Sequence, residues 1–286
     1  MRHSIQNFIQ TLRDILLILI WTVISMMFGG IWLDSWEINK IVLPLHYFIG
    51  PFIYLIVFLL GSRFLQKKVY HSSYIQWPPT FKLQYFIYGI ALVVISTFGA
   101  VLIGGRLYFP NMDMYLFAQN AAGFIGTFLI APFIEELVFR GVILGQIAKR
   151  YGVIAGIIIS SIIFGMVHLM NGALDFYSMI QLVFSGTLMG VLLSIVYIRE
   201  GSLWASFTVH ALYNGLGSLI PVQTTISNDW PVIFLLKNNN RLITGGEYGF
   251  DCSLINNITY ILIILILLLI LHRKGSSLKE AWDRAI

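Results

Sequence analysis

Hydrophobic residues fill this chain in long runs that contain no Asp, Glu, Lys or Arg. Eight of these runs are 19 residues or longer. A membrane-spanning helix needs about 20 mainly apolar residues, and backbone in lipid must satisfy its own hydrogen bonds, which favours helices. The pattern predicts an all-α polytopic membrane protein with about eight transmembrane helices, in runs 15–33, 41–62, 83–105, 114–134, 151–174, 176–198, 201–228 and 252–272.

Basic residues concentrate in alternate connections between these runs. If the amino terminus is cytoplasmic, 14 of the 18 Lys and Arg residues lie on the cytoplasmic side. Cytoplasmic loops of membrane proteins carry such an excess, so both termini are predicted to be cytoplasmic. The other side carries Lys40, Arg106, Lys237 and Arg241. We expect residues 1–286 to form a single membrane domain.

Composition agrees with this interpretation and excludes two classes of site. The chain is 58% hydrophobic and 11% charged, against about 25% charged residues in soluble domains. Its formal charge of +5 is spread over loops and forms no contiguous basic face, so nucleic acid is excluded as a partner. The single cysteine, Cys252, allows neither an intramolecular disulfide nor a cysteine-rich metal site.

Five polar residues interrupt the apolar runs in the second half of the chain: Glu135, Glu136, His168, His210 and Asn214. Ionisable groups within a membrane are costly and indicate function. Each also has a purely structural interpretation. The glutamates could mark the end of the fourth span, and the other three could bond neighbouring helices.

Helix geometry favours convergence of these groups. If the fourth and fifth runs form a hairpin that turns near Tyr151–Gly152, Glu135 lies 16 residues before Tyr151 and His168 lies 17 after it. Both would then lie about 24 Å from the turn. His210 would lie about 12 Å from the cytoplasmic end of the seventh span, near Ser202, and would meet them if the hairpin protrudes.

Spacing along each helix separates the two glutamates. Glu136 and Arg140 are four residues apart and can form an ion pair, and His210 and Asn214 share a helix face for the same reason. Glu135 is rotated by about 100° from Glu136 and is left free to face another group. Small residues in the fourth to seventh runs further predict close packing of these helices.

Three short motifs resemble those of the CPBP family, which contains CAAX-type prenyl-protein endopeptidases and bacteriocin-processing or immunity proteins. They are Glu135-Glu136-x-x-x-Arg140, Phe164-x-x-x-His168 and His210-x-x-x-Asn214. All three occur in order on separate predicted helices. The resemblance covers about residues 115–220, which would form the catalytic core.

The resemblance implies a cavity open to the cytoplasm or the lipid, in which a peptide bond is hydrolysed close to the membrane surface. By the same resemblance Glu135 activates water and His168 assists it, while His210 and Asn214 stabilise the oxyanion. The implied supporting residues are Glu136, Arg140 and Phe164.

The cofactor is left open by the sequence. Glu135, His168 and His210 match the ligand count of a catalytic zinc site, so a divalent metal such as zinc is one alternative. The zinc-protease motif H-E-x-x-H is absent. A mechanism without metal uses the same residues, and we favour it.

The sequence therefore predicts an intramembrane endopeptidase of a bacterial plasma membrane, whose substrate is a membrane-associated peptide or protein and whose other partner is the lipid bilayer. The alternatives are a non-catalytic immunity or scaffold protein of the same family and a proton-coupled transporter. A transporter more often shows inverted repeats, and the first three runs hold no matching charges.

Overall fold

Helices account for most of the residues that the computed structural model describes, which are 2–30, 42–70, 81–172 and 174–285. Within these ranges seven helices are long and apolar enough to cross a membrane. The prediction of an all-α polytopic membrane protein is thereby confirmed. The main helices are α1 Arg2–Phe28, α2 Val42–Leu65, α3 Leu83–Ile103, α4 Met114–Tyr151, α5 Val153–Val167, α6 Phe176–Glu200, α7 Leu203–Leu219, α8 Leu254–Arg273 and α9 Leu278–Ala285. Lys40 and the ends of the first two apolar runs lie outside the described residues.

The seventh apolar run, 201–228, is helical only in part. Its helix α7 has 17 residues and ends at Leu219. Pro221 explains this boundary, because proline disfavours helical geometry in the residue before it, and Ile220 has an extended φ of −132°. The helix is therefore too short to count among the seven candidate spans.

A small sheet covers one end of the helices, where the sequence predicts only loop. Its strands are β1 Gly105–Tyr108, β2 Val222–Gln223 and β3 Ile233–Leu236, in the order β1–β3–β2. Strands β1 and β3 are antiparallel, with Gly105 opposite Leu236, and β2 runs parallel to β3. Runs this short fall below the length at which strand alternation can be read from a sequence.

Helix α4 is continuous through both glutamates, as the hairpin hypothesis requires. Two segments of wider π-type hydrogen bonding, Gly126–Ile130 and Leu137–Leu144, flank the turn that carries them. Pro132 lacks an N–H, and just before it the Ala131 N–H bonds to the Gly126 carbonyl, five residues back. Such π segments are frequent at functional sites.

The α4–α5 hairpin turns at Gly152, which confirms the predicted position of the turn. Gly152 has a φ of +91°, a value that residues with a side chain rarely adopt. Helix α5 then packs closely on α6. A Cβ built on Gly190 would lie 2.8 Å from the Cβ of Ser161, and one on Gly186 would lie 2.8 Å from the Gly165 Cα. The predicted close packing of small residues is confirmed at this contact.

Helix α7 lies at the centre of the bundle. Leu203 and Ala205 are fully buried there, and α7 packs against α3, α6 and the middle of α4. At the end where α7 begins, α9 closes the bundle, with Trp282 buried and its ring 6.4 Å from that of Tyr197. The polar residues of α7 are thus held in the protein interior, away from lipid.

Candidate active site

A buried ion pair joins Glu136 to Arg140. An Nη1 hydrogen of Arg140 is donated to Glu136 Oε1 over 2.9 Å, and both residues are only 1% exposed. Arg140 also donates from Nη2 to the Gly190 carbonyl over 3.0 Å, and its guanidinium lies 4.7 Å from the centre of the Phe164 ring. The helical spacing of the pair is therefore realised, and Arg140 ties α4 to both α5 and α6.

His210 lies between the two glutamates. Its Nδ1 is 3.0 Å from Glu136 Oε1, and its Nε2 is 3.7 Å from Glu135 Oε2. Because Glu136 is paired with Arg140 as a carboxylate, it accepts a hydrogen bond, so the proton of this contact belongs to His210 Nδ1. This bond fixes the orientation of the ring and directs Nε2 towards Glu135.

Glu135 lies on the wall of a large cavity. Its side chain is 28% exposed, against 2% for that of Glu136. The cavity has a volume of about 1400 Å³, and His168, His210 and Asn214 also line it. The structure therefore brings the four sequence-predicted catalytic residues to one cavity from α4, α7 and the end of α5.

Phe164 packs between the two histidines. Its ring centre is 4.7 Å from that of His168 and 5.8 Å from that of His210. His168 begins the short turn that ends α5, and its Nδ1 donates to the Phe164 carbonyl over 2.7 Å. Since a carbonyl only accepts, this bond leaves Nε2 of a neutral His168 as the acceptor nitrogen.

A polar network beside the site was not predicted from the sequence. The Tyr213 hydroxyl donates to Asp251 Oδ1 over 2.7 Å and lies 2.6 Å from the Tyr260 hydroxyl. Asn256 donates from Nδ2 to the same Tyr213 oxygen over 3.1 Å and accepts from Ser96 over 2.6 Å. The network joins α3, α7 and α8. Only the position of Tyr213, directly before Asn214, could have drawn attention to it.

Asp251 adds a further carboxyl to the cavity wall, beside those of Glu135 and Glu247. Although the residue is open to the cavity, withdrawal from bulk water raises the pKa of Asp251. The hydrogen bond from Tyr213 opposes this rise. In the sequence Asp251 is an ordinary loop residue, so no pattern marks it.

Among the described residues, no group of three or more His, Cys, Asp or Glu side chains is arranged to hold a metal ion. Both ring nitrogens of His210 already face carboxylates. The Glu135–His168–His210 ligand set stays a prediction.

Comparison with known proteins identifies the same part of the chain. Residues 117–216, which contain all three motifs, match the family model described as Type II CAAX prenyl endopeptidase Rce1-like. The membrane-embedded CAAX protease MroQ of Staphylococcus aureus (strain USA300) is 30% identical over 151 residues. The match covers 48% of this chain and 58% of MroQ, so it spans little more than half the length of that relative. No solved structure matches the chain significantly. Through its residues 117–216, the chain is therefore similar to CAAX-type prenyl endopeptidases.

Proposed function

We propose that the chain is an intramembrane endopeptidase in which Glu135 activates the attacking water. The observation that carries this proposal is the unequal environment of the two adjacent glutamates. Glu136 is held by an ion pair with Arg140 and a hydrogen bond from His210. Glu135 instead faces the cavity, with His210 Nε2 at 3.7 Å. Of the two carboxylates, Glu135 has room to bind water and to receive its proton.

Bond making starts with that water. Its oxygen attacks the carbonyl carbon of the substrate while Glu135 takes a proton, and the carbonyl oxygen becomes an oxyanion. Collapse of this intermediate breaks the C–N bond, and the proton on Glu135 passes to the leaving amine. His168 assists as a second acceptor for the water through its Nε2. This nitrogen is the acceptor because Nδ1 donates its hydrogen to the Phe164 carbonyl.

The oxyanion needs hydrogen-bond donors that are already in place. His210 and Asn214 line the cavity from one face of α7, four residues apart. With Nδ1 held by Glu136, a protonated His210 presents Nε2–H to the cavity, and the Asn214 amide supplies another N–H. Removing one such donor from an acyl-transfer site lowers kcat by about 10²–10³-fold.

The size of the cavity suits a peptide. Its volume of about 1400 Å³ exceeds the range of about 300–1,000 Å³ that is common for small-molecule pockets. The name of MroQ describes a membrane-embedded CAAX protease, and by analogy we propose a membrane-associated peptide or protein as substrate here.

The test is a cleavage assay with purified protein in detergent. The probes are internally quenched peptides, one farnesylated at a carboxyl-terminal CAAX sequence and others amphipathic and unprenylated. We expect the unmutated protein to cut at least one of them and His168→Ala to lose most of that activity. Asp283→Asn, an exposed change on α9, serves as the control.

Two alternatives give different results in the same preparation. A scaffold or immunity protein would cut none of the peptides and would keep its cellular phenotype in His168→Ala. A proton-coupled transporter would acidify or alkalinise liposomes on addition of solute without cutting any peptide. Either outcome would overturn the proposal.

A further inference from the structure

The cavity of the site is lined by one half of the bundle. Its walls are the carboxyl-terminal parts of α1, α3, α5 and α7 and the amino-terminal parts of α2, α4, α6 and α8. Examples are Gly29, His46, Thr97 and Gly217. Strand β3 also contributes, through Phe234 and Leu236. The cavity therefore extends from Glu135 towards the sheet.

The other half of the bundle is closed. Every residue from 136 to 148 of α4 is buried, and so is every residue from 192 to 198 of α6. Helix α9 packs over this end through Ala281 and Trp282, which are both buried. Between Glu135 and the Gly152 turn, no described residue lines the cavity.

Basic residues identify the closed half as cytoplasmic. In the described ranges, the half of the bundle that lines the cavity, here called the open half, carries Arg106, Lys237 and Arg241. Arg241 is paired with Asp175. The remaining described Lys and Arg residues, apart from the internal Arg140, lie at the closed end: Arg2, Arg13, Arg63, Lys67, Lys68, Lys82, Lys149, Arg150, Arg199, Arg273, Lys274, Lys279 and Arg284. Such an excess marks the cytoplasmic side of a membrane protein.

We infer that the peptide substrate reaches Glu135 from the extracytoplasmic face of the membrane. The identity of the occupant as a substrate rests on the proposed function, whereas the route into the cavity does not. This route differs from the one that the family resemblance implies, in which the cavity opens to the cytoplasm or to the lipid. It also places the reaction in a sequence: the step that supplies the substrate must be export of the peptide, or insertion with the cleaved end outside.

Cysteine labelling tests the route without any catalytic assay. Cys252 is buried and burial raises the pKa of its thiol to about 12, so it would react with a maleimide only after denaturation; it is replaced so that it does not add to the total thiol. In a Cys252→Ala chain we would introduce Ala131→Cys, one helical turn from Glu135, or Gly217→Cys, where an added Cβ meets no atom within 4 Å. Controls are Asn239→Cys beyond β3 and Lys279→Cys on α9, both exposed.

Each full-length variant is treated with a membrane-impermeant sulfonated maleimide in right-side-out and in inside-out vesicles. Labelling after denaturation gives the total thiol. We expect Ala131→Cys, Gly217→Cys and Asn239→Cys to react in right-side-out vesicles and to lose labelling in inside-out vesicles. Lys279→Cys should show the reverse.

Three outcomes would overturn the inference. Labelling of Ala131→Cys in inside-out vesicles would show access from the cytoplasm. If Asn239→Cys reacted in inside-out vesicles and Lys279→Cys in right-side-out vesicles, the orientation would be the reverse of the one inferred. Reaction of Gly217→Cys without Ala131→Cys would show that the open route stops short of the site. A protein without protease activity would still give the expected pattern, so failure of the proposed function is seen separately.

Discussion

His210 Nε2 lies 3.7 Å from Glu135 Oε2, while the opposite ring nitrogen is held at 3.0 Å by Glu136. One imidazole thus separates a carboxylate with a structural role from one that is open to the cavity. The separation follows from the helix, since neighbouring residues differ in direction by about 100°. It also predicts that the two adjacent glutamates respond differently to the same substitution.

Glu136→Gln should destabilise the protein, because it leaves Arg140 buried without its counter-ion. Breaking a buried pair on one side costs about 3–5 kcal/mol. Glu135→Gln should change the thermal stability little. Thermal unfolding in detergent measures both effects, and Glu136→Gln combined with Arg140→Met should recover part of the loss. Equal melting temperatures for the two single variants would contradict this assignment.

Gly190→Ala should loosen the α5–α6 contact. The new methyl group would lie 2.8 Å from the Cβ of Ser161 and 2.9 Å from its Cα, so the helices must separate. Overpacking of this kind costs about 1–3 kcal/mol. Because the Gly190 carbonyl accepts from Arg140, activity should fall as well.

Gly217→Ala is the matched control for that change. It also lies in a helix, but an added Cβ there meets no atom within 4 Å. We expect its melting temperature to stay close to that of the unmutated protein. If both alanine variants melt alike, close helix packing at Gly190 is not important for stability.

Tyr213→Phe should reduce turnover because α7, which carries His210 and Asn214, is then held less firmly in place. The hydroxyl contacts Asp251, Tyr260 and Asn256, and its loss removes the bonds that hold α7 at this level. Because small displacements of reacting groups cost up to about 10²-fold in rate, we expect kcat to fall roughly 10- to 100-fold.

The kinetic pattern distinguishes positioning from binding in this variant. KM should change little, since no contact of Tyr213 with the substrate is invoked. Tyr177→Phe, at an exposed position on α6, should leave both constants unaltered. A rise in KM with constant kcat would instead place Tyr213 in substrate binding.

Cationic peptides should be bound in preference to anionic ones. The described lining of the cavity contains Glu135, Glu247 and Asp251 and neither Lys nor Arg. Glu247→Gln should therefore raise KM for a lysine-containing peptide about two- to fivefold, the equivalent of about 0.5–1 kcal/mol for an exposed pair. Added salt should raise KM in the same direction. A KM that is independent of peptide charge and of salt would refute this expectation.

The sequence predicts the fold and the motif residues because both depend on local patterns. Hydrophobic runs define the spans, and the distances of Glu135 and His168 from Tyr151 define the hairpin. The end of α7 is predicted less well, since the apolar run continues beyond Pro221 although the helix cannot.

The sheet and the Tyr213–Asp251 network were not predicted, for a different reason. Residues 105–108 pair with 233–236 across more than a hundred positions, and no local pattern encodes such a pairing. Asp251 gains its role only because the loop folds back over α7 and α8. The position of the cavity at one end of the bundle likewise depends on how eight helices pack, which motif spacing does not specify.

The single-turnover cleavage rate of purified Glu135→Gln tests most directly whether Glu135 supplies the base for peptide hydrolysis. The melting temperatures of the unmutated protein and the variant are first shown to be equal. Both are then assayed with the peptide that the unmutated protein cuts best. We expect the variant to give no detectable product while it retains the fold and binds the peptide. Cleavage by Glu135→Gln at a rate close to that of the unmutated protein would contradict the assignment.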